Sequence, residues 1–236
     1  MQAIILAAGM GRRLNSLTDG LPKPMIEIGG KSIIHYQIES CLQQGVGEFV
    51  IVIGYRKDDM QVHVLEILSP DQVTFVVNPD YATTNTLYSL FLASEYLVKD
   101  TLYFNGDVLF EKALLAKLLD KPISSILVEM KDCGAEEVKV TINEDGFVTA
   151  IGKELSLELC AGEFIGIACF RKEVLAEMVK FLKLGVEAQQ HNNYFEYAVN
   201  KFCGVIEILA VSTEGAAVIE IDFPEDLTRA RALFSK

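Results

Sequence analysis

Residues 1–24 read MQAIILAAGMGRRLNSLTDGLPKP, and the change of character within this stretch decides the fold. Gln2 to Ala7 is a short continuous apolar run, the pattern of a buried strand. From Ala8 to Pro24 glycine and proline punctuate the chain, so this part reads as a loop. Arg12, Arg13 and Lys23 are opposed there by Asp19 alone. A buried strand therefore opens into a locally positive loop, in a chain whose formal net charge is −12. Such a loop is a place for an anion.

Working outward, strands and helices alternate. Ile34, Ile38, Cys41 and Leu42 fall on one face of a helix ending near Gly45, Phe49 to Ile53 is a second strand, and a charged segment from Lys57 to Leu68 is helical before the strand Val73 to Val77. In TTNTLYSLFLASEYL, Thr84 is placed to cap a helix whose Leu87, Leu90, Phe91 and Ser94 share a face. The strand TLYF breaks at Asn105-Gly106-Asp107, and residues 111–119 look helical. From Ser124 to Ile151 successive strands follow, two of them joined through Asn143-Glu144-Asp145-Gly146 as a hairpin. A strand at Ile165 to Phe170, helices near 172–183 and 192–202, strands near 205–211 and 217–221, and a helix from about 224 complete the pattern. Alternating units followed by hairpins predict an α/β fold: a three-layer α/β/α, Rossmann-like, mostly parallel mixed sheet with a small antiparallel addition, spanning residues 1–236 as one domain. Ligands of such sheets lie beyond the C-terminal strand ends, which selects residues 8–24, 78–89 and 105–107.

Composition excludes several function classes. Half of the residues are hydrophobic, which argues against disorder, and no apolar run is long enough to cross a membrane. Ile4, Ile5 and Leu6 lead straight into charged residues, without a signal-peptide pattern, so a cytoplasmic location is expected. The acidic balance argues against nonspecific nucleic-acid binding, which needs a basic face. Five cysteines (Cys41, Cys133, Cys160, Cys169, Cys203) contain no CxxC pair and read as reduced, mostly buried thiols.

Two familiar nucleotide loops fail on spacing. A dinucleotide fingerprint starting at Gly9 needs a glycine where Leu14 stands, and a Walker A loop ending in Gly30-Lys31-Ser32 needs one where Met25 stands. What remains is AAGMGRRL followed at a distance by PKP. Its small residues let backbone N–H groups approach phosphate oxygens, Arg13 offers a fork of donors, Lys23 a point charge, and Pro22 and Pro24 restrict the backbone around that lysine.

LAAGMGRRL with PKP resembles the signature L-A-A-G-x-G-x-R-L followed by P-K of the nucleotidyltransferase family that activates sugar phosphates, phosphocholine and related phospho-compounds. NPDYATTNTLYSL, GEFIGI and YFEYAVN extend the likeness toward cytidylyltransferases for phosphocholine, aminoethylphosphonate and similar acceptors, and the base-binding segment departs from the sugar-nucleotide pattern Q-x-x-P-x-G. The resemblance implies that Arg13 and Lys23 act on the triphosphate, Lys23 near the reacting α-phosphate. It further implies that Leu6, Ala7, Ala8, Gly9 and Gly11 line the nucleotide, joined by Asn78, Tyr81 and Asp107, with Asn85 and Ser89 near the base or ribose. Arg12 stands at the family's variable position and carries less weight. For Asn85 and Ser89 the plain alternative is the cap and polar face of one helix.

Joining two anions calls for cations and alignment rather than a protein nucleophile. Mg²⁺ takes hard oxygen ligands, usually one or two carboxylates beside phosphates and water. Asp107 in NGD and Asp222 at the end of AVIEID are the candidates, and the resemblance implies both as metal ligands. On its own, Asp222 also reads as an N-cap before Pro224-Glu225-Asp226. Lys153 resembles a lysine that contacts the acceptor phosphate, with a solvated hairpin lysine as the alternative. Glu163 and Glu196, with Tyr194, Phe195 and Tyr197, form a candidate acidic and aromatic wall for a cationic amine, although Phe195 and Val199 also have the spacing of a helix core face. His35, His63 and His191 lie in unrelated contexts, and His191 fits a surface loop better than the acceptor pocket.

The expectation is thus a Mg²⁺-dependent cytidylyltransferase that joins CTP to a small phosphorylated acceptor, releasing pyrophosphate. A sugar 1-phosphate nucleotidyltransferase using UTP, GTP or dTTP would share the loop and metal residues. A catalytically silent binding subunit would keep the glycines and lose the charges, whereas Arg13, Lys23, Asp107 and Asp222 are all present. A metal-dependent glycosyltransferase is disfavoured because NGD is not D-x-D. The sequence leaves acceptor and oligomeric state open, a homodimer included.

Overall fold

The computed structural model describes residues 1–14 and 20–234, the side chain of Arg12 excepted. Readings that rest on Asp19 or on the Arg12 side chain lie outside the described residues. Strand β1 (Gln2–Ala7) is buried along its whole length. A hairpin of β2 (Glu27–Ile28) and β3 (Lys31–Ser32) leads into α1 (Ile33–Gln43), capped by Ser32, whose Oγ accepts the His35 N–H at 3.2 Å. There follow β4 (Phe49–Ile53), α2 (Lys57–Leu65), β5 (Val73–Val77), α3 (Thr86–Leu92), β6 (Thr101–Asn105), β7 (Val108–Phe110) and α4 (Lys112–Leu119). The second half adds β8 (Ser125–Glu129), β9 (Lys139–Ile142), β10 (Val148–Gly152), β11 (Gly162–Phe170), α5 (Lys172–Glu187), α6 (Glu196–Asn200), β12 (Leu209–Ser212), β13 (Val218–Glu220) and α7 (Pro224–Phe234).

The main sheet has nine strands in the order β10-β9-β11-β6-β1-β4-β5, with β8 against β11 and β12 against β8. Its centre, β6-β1-β4-β5, is parallel, and β11 runs antiparallel to β6. Because successive side chains of a strand point to opposite faces, β1 feeds two cores. Ile4 and Leu6 pack with Leu87 and Leu90 of α3 and Met178 and Leu182 of α5, whereas Ala3, Ile5 and Ala7 pack with Ile34 and Ile38 of α1, Met60 of α2 and Leu115 of α4. Helices thus cover both faces, as the three-layer expectation requires. Burial of each such Ile or Leu contributes roughly 1.5 to 3 kcal/mol. β4 and β6 flank β1 on opposite sides, so the crevice beyond the C-terminal end of β1 is a topological switch point.

Several local expectations are corrected. Leu42 is 38% exposed and lies off the core face that Ile34, Ile38 and Cys41 share. Asn85, not Thr84, caps α3, because Thr84 Oγ1 bonds the Asp80 carbonyl and Asn78 instead. Ser94 falls in a separate 3₁₀ turn beyond α3. α6 is confined to Glu196–Asn200, β12 begins only at Leu209, and β11 reaches back to Gly162. Cys41, Cys169 and Cys203 are buried free thiols, whereas Cys133 and Cys160 are half-buried with their sulfurs 3.0 Å apart.

Candidate active site

The end of β1 is shaped by close backbone approach. Gly106 donates its N–H to the Leu6 carbonyl at 3.0 Å, and a Cβ on Gly106 would lie 2.6 Å from that oxygen and 2.9 Å from Pro24 Cγ. Only glycine lets the Asn105-Gly106-Asp107 turn sit this tightly on the strand. From behind, the buried Gln37 of α1 donates through Nε2 to the carbonyls of Asn105 (2.8 Å) and Val108 (2.9 Å). Gly11 has φ +58°, and a Cβ there would come 2.6 Å from Lys23 Cγ, so the lysine stem passes over this glycine.

Lys23 is thereby delivered between two carboxylates. Its Nζ donates to Asp107 Oδ2 at 3.2 Å and to Asp222 Oδ1, while Arg13 Nη1 donates to Asp222 Oδ2 at 3.2 Å and the guanidinium lies 4.9 Å over the Phe223 ring. Burial works against the Lys23 ammonium, but Asp107 and Asp222 outweigh it and hold its pKa above the ordinary value. The N-cap reading of Asp222 is overturned by Asp226, whose Oδ2 accepts the N–H groups of Asp222 (3.1 Å) and Phe223 (2.8 Å). The Asp222 carboxylate is therefore left to the cations.

A third carboxylate joins them. Asp107, Glu220 and Asp222 each offer an oxygen within 4.8 Å of the others. The β13–β7 pairing sets Glu220 opposite Val108, beside the NGD turn. Loss of surrounding water, then repulsion from Asp107 and Asp222, raises the Glu220 carboxyl well above the usual range. Three hard oxygen donors from two segments fit Mg²⁺ or a similar ion.

The opposite end of the cleft is built on β8, β10 and β11. Pairing of β8 with β11 places Glu129 opposite Glu163, and Lys131 Nζ bridges them at 2.9 and 2.6 Å. Burial raises the Glu163 carboxyl and Lys131 counters it. Lys153, just past β10, makes no ion pair among the described residues, and its Nζ stands 4.9 Å over the Tyr194 ring. Glu196 is 3% exposed, and its Oε2 has no hydrogen-bond partner among the described residues. Burial pushes its carboxyl up to about 7, against the pull of Lys153.

A family model described as nucleotidyl transferase matches residues 2–126. The CTP:phosphoglutamine cytidylyltransferase of Campylobacter jejuni is 30% identical over 254 residues, covering 96% of this chain and 98% of its own. The choline-phosphate cytidylyltransferase of Streptococcus pneumoniae is 27% identical over 228 residues, covering 96% and 95%. The chain belongs to the nucleotidyl transferase family. Among solved structures, the CTP:phosphocholine cytidylyltransferase from Streptococcus pneumoniae superposes with a TM-score of 0.83 at 24% identity, covering 98% of this chain and 97% of that one. The inositol-1-phosphate CTP transferase from T. maritima gives 0.82 at 24%, covering 100% and 95%. Both share the fold.

In this nucleotidyltransferase one cleft of about 660 Å³ gathers the residues singled out for nucleotide, metal and acceptor, Phe195 and Tyr197 excepted: Leu6 to Gly9, Gly11, Arg13, Lys23, Asn78, Tyr81, Asn85, Ser89, Asp107, Lys153, Glu163, Tyr194, Glu196 and Asp222. Asn78 is also a structural hub, its Nδ2 donating to Thr84 Oγ1 and Ser89 Oγ, both at 3.0 Å. The cap reading of Asn85 holds, since its Oδ1 accepts the Thr86 N–H at 2.9 Å. Of the three aromatic residues of the candidate wall, Tyr194 lines the cleft, whereas Phe195 is buried against Tyr103, with ring centroids 4.1 Å apart, and Tyr197 packs on the same core. His191 lies outside the cleft, against Tyr88. Glu220 and Lys131 were missed from the sequence. For Glu220 a signal existed, since AVIEID places it two residues before Asp222 on the same strand face. Lys131 had none.

Proposed function

We propose that this nucleotidyltransferase is a Mg²⁺-dependent cytidylyltransferase, with residues 1–236 acting as one domain in the cytoplasm. CTP and a small phosphorylated acceptor would give a CDP-linked product and pyrophosphate. The observation that carries the reading is the alternation of charge at the end of β1, where Lys23 and Arg13 are interleaved with Asp107 and Asp222 beside Glu220. A triphosphate needs those cations, and an ion held by the carboxylates would add Lewis-acid stabilisation of developing charge. Full-length similarity to proteins named as cytidylyltransferases supports CTP as the donor.

An oxygen of the acceptor phosphate forms the new bond to the α-phosphorus. The bridging P–O bond to the β-phosphate breaks, and pyrophosphate leaves with that electron pair. On this reading Lys23 and Arg13 leave their carboxylates for phosphate oxygens, and the backbone from Leu6 to Gly11 lines the nucleotide. Asn78, Tyr81, Asn85 and Ser89 face base and ribose, while Lys153, Glu163, Tyr194 and Glu196 surround the acceptor. The test is pyrophosphate release with CTP, UTP, GTP and dTTP against a panel of phosphorylated amines, phosphonates and sugar 1-phosphates in Mg²⁺. Turnover with CTP and a phosphorylated amine is expected. Preference for a sugar 1-phosphate with another nucleotide would move the assignment within the family, and no turnover with any pair would leave a silent binding subunit.

A further inference from the structure

The acceptor end of the cleft presents one buried carboxylate whose oxygen lacks a donor. Buried polar atoms are nearly always paired, so an orphan lining a cleft asks for a partner from outside the chain. Glu196 lines the cleft and carries that atom, its Oε2, which is unpaired among the described residues. Lys131 has its two carboxylates, and Lys153 stands off over Tyr194, so neither cation satisfies it.

Aromatic faces decide what kind of cation the cleft can take. A quaternary ammonium has no N–H to donate and is held through ring faces. Four described aromatic residues line the cleft: Tyr81, Phe164, Tyr194 and Phe223. Tyr81 packs over Gly54 at the nucleotide end, where a Cβ on Gly54 would come 2.7 Å from Tyr81 Cβ. Phe164 is 2% exposed and stands edge-on to the buried Phe195. Phe223 lies under the Arg13 guanidinium, and Tyr194 under the Lys153 ammonium. Tyr194 is the exposed ring at the acceptor end and Lys153 stands over one of its faces, so the unpaired Glu196 carboxylate rather than a cage of rings distinguishes this end.

We propose that Glu196 determines acceptor specificity by accepting a hydrogen bond from an ammonium that retains N–H, so that the cleft takes a phosphorylated or phosphonate primary amine in preference to its quaternary counterpart. The inference rests on the cytidylyltransferase reading and narrows its acceptor. Lys153 then meets the phosphate of the same molecule while Glu196 receives its ammonium, matching both charges of a zwitterion.

The N-methyl series from phosphoethanolamine through its mono- and dimethyl forms to phosphocholine removes N–H groups one at a time at constant charge. With CTP and Mg²⁺, kcat/KM should fall at least about 10-fold across the series, because a polar site left unpaired discriminates strongly. Propyl phosphate, which lacks the ammonium, should be no better than phosphocholine. Glu196→Gln, which keeps the side-chain shape, should compress the series to within about 3-fold, mainly by raising KM for phosphoethanolamine. Calorimetric binding of the four compounds to the wild-type protein should show the same order, and this arm does not depend on the variant folding. Phosphocholine being used as well as phosphoethanolamine, or Glu196→Gln lowering all four equally, would overturn the inference. Turnover of a sugar 1-phosphate alone would also overturn it while leaving a nucleotidyltransferase. No pyrophosphate from any pair would instead remove the catalytic reading on which it rests.

Discussion

At the β1 end of the cleft the cations already have opposite neighbours: Lys23 sits between Asp107 and Asp222, and Arg13 holds Asp222 from the other side. At the β11 end Lys131 is neutralised by Glu129 and Glu163, but Lys153 has no ion pair among the described residues and Glu196 Oε2 has no donor. The first end is held in shape by the chain's own charges, so binding exchanges partners rather than creating order. The second leaves a cation and an acceptor atom unmatched among the described residues, which on the proposed reading a ligand carrying both a phosphate and a donor would complement. A shared donor substrate suits the first arrangement and a variable acceptor the second.

The largest break in this comparison should come from Lys23→Ala. If Lys23 acts on the α-phosphate as proposed, its removal should lower kcat by about 10³-fold, read by pyrophosphate release. The same variant leaves Asp107, Glu220 and Asp222 repelling one another, so its melting temperature should drop in EDTA and recover with Mg²⁺. Asp107→Asn should cost on the order of 10²-fold and move the rate's Mg²⁺ dependence to higher concentration, read by titrating the ion. An unchanged Mg²⁺ curve would remove Asp107 from the ligand set.

How each end was read from the sequence follows from the same contrast. LAAGMGRRL and PKP both fall within residues 6–24, and a loop whose proposed chemistry rests on backbone approach and two cations carries it in the order of its residues. Lys131 gains meaning only through pairing, from Glu129 meeting Glu163 across β8 and β11, whereas Glu220 is set beside Asp222 by the alternation in AVIEID and brought to the NGD turn by β13 lying against β7. Phe195 and Tyr197 were offered to the acceptor because composition does not tell a wall from a core; the packing of Phe195 on Tyr103 does. The parallel centre of the sheet was legible because its strands are continuous apolar runs, whereas α6 and β12 are short and blur into their flanks.

Two smaller effects sharpen the acceptor end. Glu196 ionises near 7 in the folded chain against 4.5 ordinarily, so the folded state binds the extra proton between those values. Its contribution is fully present below about pH 4.5 and is lost as pH rises through 7, at most about 3 kcal/mol from a shift of that size. Glu196→Gln should therefore gain stability relative to wild type between pH 5 and pH 8, read by denaturant midpoints at each pH. Lys153→Ala should raise the acceptor KM about 10-fold and leave the KM for CTP within about 2-fold, since on the proposed reading the charge it removes meets the acceptor phosphate and not the nucleotide.

The ion pair between Lys23 and Asp222 joins residues 199 positions apart in the chain. Glu220 and Asp222 lie far beyond Ile126, where the matched family segment closes. A polypeptide still emerging from the ribosome therefore carries the strands of the parallel centre and the glycine loop while two of the three clustered carboxylates are missing. Onset of activity should consequently mark synthesis past Asp222, and two separately expressed halves cut between Ile126 and Val218 should be inactive alone and become active only on reassociation.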